Sequence, residues 1–261
     1  MSKNLEISIE DIEPIEGYDY SLPEMSREYY LKISSYDKFM SEDQIRRNAS
    51  KVDWYEVSKH QILSENFIKE FKDRVDWGMV SRYQKLSENF IREFADKKLN
   101  WDWISNYQRL SENFIRDFAE LVDWDIISYA QRLSENFIRE FADKLNWESV
   151  SSHQKLSENF IREFQDKVNW YEISFSQILS ENFIREFADK VYWSHISSSQ
   201  KLSEDFIREF SDKIDWDVIA ACQSLSEDFI KEFADKLIWH DISWRQKLSD
   251  EFRKEFADKL N

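Results

Sequence analysis

The first residues in this chain whose spacing could support chemistry are carboxylates set beside cations. After Leu156, Glu158 stands four residues before Arg162 and Glu163 four before Lys167. Paired carboxylates can divide acid and base roles when their surroundings separate their proton affinities. The same set recurs, however, at Glu135, Arg139, Glu140 and Lys144. Catalysis needs such a pair once. A pair copied with its own counter-ions reads as a solvated ladder of i,i+4 ion pairs, acid first, worth about 0.2–0.5 kcal/mol each. Leu121 interrupts the ladder in one copy.

Other reactive types fare no better. Gln61, Gln84, Gln108, Gln131, Gln154, Gln177, Gln200, Gln223 and Gln246 recur at one fixed place. A buried amide must find partners, so this column is expected to tie loop backbone between neighbouring units rather than to bind a ligand. His60, His153, His195 and His240 lie two or more units apart, too far for any two to share a metal, and no metal site is expected. Cys222 has no His or Lys beside it in sequence and is not read as a nucleophile. No glycine-rich phosphate loop or serine-elbow motif occurs, so neither enzymatic activity nor a cofactor is expected.

The elements that position these residues are set by a repeat. Trp54, Trp77, Trp101, Trp124, Trp147, Trp170, Trp193, Trp216 and Trp239 follow one another at 23 residues, except for one step of 24 where Lys97-Lys98 is doubled. A fixed period of this length marks a stacked array. We number each block from its leucine as position 0, so that the tryptophan falls at position 14. Of 20 Phe, 18 occupy positions 4 and 8. Leu156, Phe160, Ile161, Phe164 and Val168 fall on one helical face at about 100° per residue, whereas Trp170 and Ile173 do not continue it. The break coincides with Asn169, and Asp or Asn holds that place in most blocks. Ser157 and its equivalents precede the first helix. Both types cap helix starts. The pattern predicts an all-α fold, an α-solenoid of stacked helical hairpins: helix A of roughly 12 residues and helix B of roughly 9 per block. Tyr192 and Ile238 lack the second cap. One block cannot offset the entropy of ordering itself, so stacking is obligatory.

The ends carry polar substitutions. In the first helix A the Phe places hold Gln44 and Asn48 while Ile45 is kept; in the last, Phe252 and Phe256 are kept while the Ile place holds Arg253. The Phe side is therefore expected to face the preceding unit and the Ile side the following one. The expected organisation is an acidic tail over 1–25, with alternating Leu5, Ile7 and Ile9 suggesting a short strand; a degenerate capping repeat over 26–62, its helix B at Tyr30–Ser34; eight hairpin repeats over 63–247; and a capping half-repeat over 248–261.

The wording of the unit, as in Leu133-Ser-Glu-Asn-Phe-Ile-Arg-Glu-Phe-Ala-Asp-Lys, resembles the short helical repeats of LSEDFIREF…DKVDWxxISxxQ type associated with large DNA viruses and phages. The resemblance covers about residues 40–261. It implies an α-solenoid and carries over no active site.

A net charge of −16 argues against direct nucleic-acid binding, which needs a basic stripe. No apolar stretch approaches a membrane span and no secretory signal opens the chain; with one cysteine, a monomer in the cytoplasm (of the host, if viral) is expected. What varies between blocks is the place to seek a site. Positions 15, 16 and 19 of helix B differ in nearly every block, whereas the solvent positions of helix A barely change. That contrast selects a protein-binding surface comprising Tyr55, Lys59, Arg82, Trp103, Asn106, Tyr129, Tyr171, Phe175, His195 and Trp244. Trp103, Tyr129, Tyr171, Phe175 and Trp244 are expected to face water there, as interface anchors do. The alternative is an acidic decoy that mimics nucleic acid and sequesters a protein that binds it.

Overall fold

A computed structural model gives the architecture. It describes residues 40–95 and 98–260. The tail over 1–25, the degenerate helix at Tyr30–Ser34 and the doubled lysine at Lys97 lie outside the described residues. Two compact units are present, 1–84 and 85–261. Both are all-helical over the described residues, without strands, and each is built of stacked hairpins at the 23-residue period, an α-solenoid.

In the first unit the A helices are Glu42–Arg47 and Glu65–Glu70, and the B helices Trp54–His60 and Trp77–Tyr83. In the second unit, the block beginning at Leu156 stands for the rest. Its helix A is Glu158–Glu163 and its helix B Trp170–Ser176. Both are shorter than the apolar spacing predicts. Helix A ends at Phe164, where φ/ψ turn to −111/27. The Lys167 and Val168 N–H groups still donate to the Phe164 carbonyl. That turn keeps a helical offset between Phe164 and Val168 without being part of helix A, which is why periodicity alone overextends it.

The caps are those expected. Ser157 Oγ accepts from the Phe160 N–H at 3.2 Å, and Asn169 Oδ1 accepts from the N–H groups of Tyr171 and Glu172. Tyr192 and Ile238 make no side-chain cap. The B helices of successive blocks pack directly on one another within each unit.

The core is a column of fully buried Phe and Ile, such as Phe160, Ile161 and Ile173, with Leu156 and Val168 closing it. The tryptophans are half-buried at its edge. Trp147 stacks on Phe160 and Phe164 of the next block, with centroids 6.3 and 5.0 Å away, and its Nε1–H donates to the Ala142 carbonyl. The Phe side therefore faces the preceding block. At the two ends, Ile45 is fully buried and Arg253 is exposed, as the Ile side requires.

Candidate functional site

Before a site can be assigned, the side chains that only hold blocks together must be set aside. Gln177 Nε2 donates to the Ser151 and Gln154 carbonyls of the preceding block, at 2.8 and 2.7 Å, while its Oε1 accepts from the Leu156 N–H. The same three bonds recur at Gln84, Gln131, Gln154, Gln200, Gln223 and Gln246. With both amide hydrogens and the oxygen engaged in a buried place, this column is structural.

A serine that sequence reasoning passed over is equally tied. Ser151 Oγ donates to the Trp147 carbonyl and accepts from the Asn169 N–H of the next block, so each helix B positions the start of the next. Its signal was available: serine holds position 18 in nearly every block, Ala220 being the exception.

The charged residues of helix A behave likewise. Glu158 and Arg162 are a loose intrahelical pair at 3.7 Å. The expected Glu163–Lys167 pair does not form, because Lys167 lies beyond the helix end. Glu163 instead takes Arg139 of the preceding block at 2.8 Å, and Lys167 takes Asp143. Glu158 Oε1 accepts from the Ser180 N–H of the next block at 2.6 Å. Lys144 holds Glu120, and Lys167 holds Asp143, below the ordinary carboxylate range through direct hydrogen bonds. The first block shows the same logic inverted. There Gln44 stands where later blocks have Phe, and its Oε1 accepts from the Ser41 N–H, completing a capping box within the helix.

What remains is the outer side of helix B. Tyr55, Tyr129, Tyr171, Phe175 and Trp244 are exposed, as expected. Trp103 is not: it is half-buried, like Lys59, Arg82, Asn106 and His195. Position 16 is at most half-open in every block, and Glu56 and Met79 there are buried. The reason is the direct stacking of B helices, which covers that flank. Position 20, by contrast, is mostly open, because helix B ends there and the following glutamine turns the chain extended. Sequence reasoning thereby missed Tyr83 and Tyr107, along with Tyr192 and Ile178; all four are exposed. The positions of helix B most open to water are 15 and 20, with position 19 exposed at Tyr129, Phe175 and Trp244.

Some of the expected residues meet. Asn106 Nδ2 donates to Tyr129 Oη of the next block at 3.3 Å. Lys59 lies 5.8 Å from the Tyr55 ring, and Trp244 and His240 are neighbours at 6.3 Å. The densest group spans two blocks of the second unit. His195 lies edge-on to Tyr171 at 4.3 Å and beside Phe175 at 5.2 Å, and Tyr171 also meets Tyr192 at 5.4 Å. Tyr171, Phe175 and Tyr192 are each about half exposed, at 48, 55 and 50%. The His195 Nε2 is covered and has no hydrogen-bond partner among the described residues.

No group of His, Cys, Asp or Glu among the described residues is arranged to hold a metal ion, and no described helix is long and apolar enough to cross a membrane. Cys222 is free and exposed. No protein-family model, curated protein or solved structure matches the chain.

Proposed function

We propose that this protein is a non-enzymatic scaffold that binds a protein partner through the outer side of its B helices, acting as a cytoplasmic monomer and without covalent chemistry. The observation that carries the reading is the aromatic group of Tyr171, Phe175, Tyr192 and His195. Aromatics at the fixed positions 4, 8 and 14 are wholly or partly buried against the neighbouring block, whereas Tyr171, Phe175 and His195 sit at variable positions and Tyr192 replaces a cap; the four touch each other, and Tyr171, Phe175 and Tyr192 stay half open. Large rigid rings on a surface fixed by backbone ladders lose little entropy on docking, which is the behaviour of interface anchors.

The acidic-decoy reading has weaker support. The carboxylates it needs are engaged between blocks: Glu163 with Arg139, Asp143 with Lys167, Glu186 with Arg162.

The test is a crosslinking capture with the full chain as bait, run beside a Tyr171→Ser/Phe175→Ser variant and a helix A variant, Glu163→Gln/Glu186→Gln. The scaffold reading expects one protein held by the wild type and the helix A variant and lost by the ring variant, with little dependence on salt. Loss with the helix A variant and steep salt dependence would establish the decoy instead.

A further inference from the structure

The second unit carries a row of cations that nothing in the described fold uses. Position 22, directly after each glutamine, holds Lys85, Arg109, Arg132, Lys155, Lys201 and Lys247, all exposed. None of the six has an ion pair or a ring contact among the described residues. Every other described lysine or arginine between residues 86 and 246 has a partner, commonly the carboxylate of a neighbouring block or an aromatic ring. Packing does not ask for a cation here, since Ile62, Ile178 and Ser224 stand at the same place in three blocks.

The row is also rigid. Gln84, Gln131, Gln154, Gln200 and Gln246, which precede Lys85, Arg132, Lys155, Lys201 and Lys247, each bond their amide to the preceding glutamine's carbonyl, so these charges are fixed at whole block steps. The nearest repeated carboxylates, Glu112, Glu135 and Glu158 three residues on, are turned away. Their Oε1 atoms accept from the serine N–H of the next block and their Oε2 atoms face their own arginines.

We propose that this row is a docking edge for an acidic, extended polypeptide segment. Stacked helices stand about 8–10 Å apart. A chain extended as polyproline II turns once every three residues and rises about 3.1 Å per residue, so every third side chain returns to the same side about 9 Å further on. A carboxylate at every third residue therefore meets one cation per block from Lys85 to Lys155, and one in every second block from there to Lys247. A nucleic-acid strand fits less well, because a charge on every nucleotide would bring more anion against a chain of net charge −16 than at most one cation per block can neutralise. The edge is separate from the aromatic group on the B helices and does not rest on it.

The experiment uses the full chain and a labelled peptide of six Glu-Gly-Ser triplets, followed by fluorescence anisotropy at low and near-physiological salt. The comparison probes are a peptide of the same composition with its glutamates in one block, and single-stranded oligo-dT. One variant carries Arg109→Ser, Arg132→Ser and Lys155→Ser, the residue type that Ser224 already supplies at this place; a charge-matched control carries Lys51→Ser, Arg253→Ser and Lys254→Ser, outside the row. The triplet peptide is expected to bind the wild type, more weakly as salt rises, with about a tenfold loss in the row variant and no more than about twofold in the control. Matched thermal unfolding of the two variants shows that both are folded. Equal losses in both variants, no binding of the triplet peptide at low salt, or equal or tighter binding of the blocked peptide or the oligonucleotide overturns the proposal. Tyr171→Ser/Phe175→Ser leaves this peptide's binding unchanged, so failure of the scaffold reading and failure of this one are told apart.

Discussion

The helix A surface and the outer side of the B helices are both wet, yet one is nearly identical from block to block and the other is not. The difference follows bonding across blocks. On helix A, Glu158 reaches the Ser180 backbone, Arg162 reaches Glu186, and Lys167 reaches Asp143. Every one of these side chains has a partner about one period away, so a change in one block strands a group in the next. On the B helices, Glu148, Tyr171, Ser194 and Asp217 occupy one position with four chemistries, and none of them takes part in the glutamine, serine or arginine ladders. Sameness along this chain therefore marks what a block needs from its neighbour. The weight of the scaffold reading accordingly falls on the exposed rings and not on the mere contrast between faces.

If that comparison is right, the largest losses belong to residues that cross blocks inside the core. Phe160→Ala removes a ring that is fully buried and packed on Trp147 of the preceding block. We expect about 3–5 kcal/mol of destabilisation, read as a fall in the urea midpoint. A loss below about 1 kcal/mol would mean that blocks do not depend on each other through this column.

Gln154→Leu comes next. It keeps the volume but leaves the Leu133 N–H and the carbonyls of Ser128 and Gln131 without their partner. Buried polar groups left unpaired cost about 1–3 kcal/mol each, partly relieved by water reaching the loop, so about 3 kcal/mol is expected in the same assay. Near-neutral behaviour would show that the amide column is dispensable and reopen it as a ligand ladder.

Much of this was legible in the sequence. The period, the Ser and Asn caps, the buried glutamine and the direction faced by Phe each follow from one block's pattern or from its failure at the ends. Three things were not. The end of helix A at Phe164 is masked because the following turn keeps the same four-residue offset to Val168. Helical spacing pairs charges four residues apart within one helix, whereas most of the short ion pairs lie about a period away, as Arg139–Glu163 does. The openness of position 20 and the cover over Trp103 depend on where helix B stops and on how B helices stack, which a helical wheel of one isolated segment cannot contain.

Two smaller changes sharpen the comparison from the other side. Ile238 starts a helix B without a side-chain cap, and it is exposed. Ile238→Asp restores what Asp215 and Asn169 do, and a gain of about 1 kcal/mol in the urea midpoint is expected. Acidification probes the ladder between blocks as a whole. Lys144 holds Glu120 low, Lys167 holds Asp143 low, and the Ser249 backbone N–H holds Glu227 low. A carboxylate whose proton affinity is lower when folded contributes stability above its unfolded pKa, about 4, and loses it as pH falls through the lower folded value. Thermal midpoints should therefore be flat from neutral pH down to about 5 and decline below about 4. Decline beginning near pH 6 would point to histidine instead.

The smallest effect is expected where variation is greatest. Tyr171 and Phe175 meet rings of the next block at His195 and Tyr192, and each is half in water. Ring pairs contribute about 0.5–1.5 kcal/mol beyond area burial when packed, and less when open to solvent. Replacing both rings by serine also exchanges exposed apolar surface for polar surface, which offsets part of the lost contact. Tyr171→Ser/Phe175→Ser should thus unfold within about 0.5 kcal/mol of the wild type, as surface substitutions commonly do. A loss of about 2 kcal/mol or more would place these rings with Phe160 and Gln154, as side chains that hold one block to the next. The outer side of the B helices would then have no claim to be a surface kept free for another molecule.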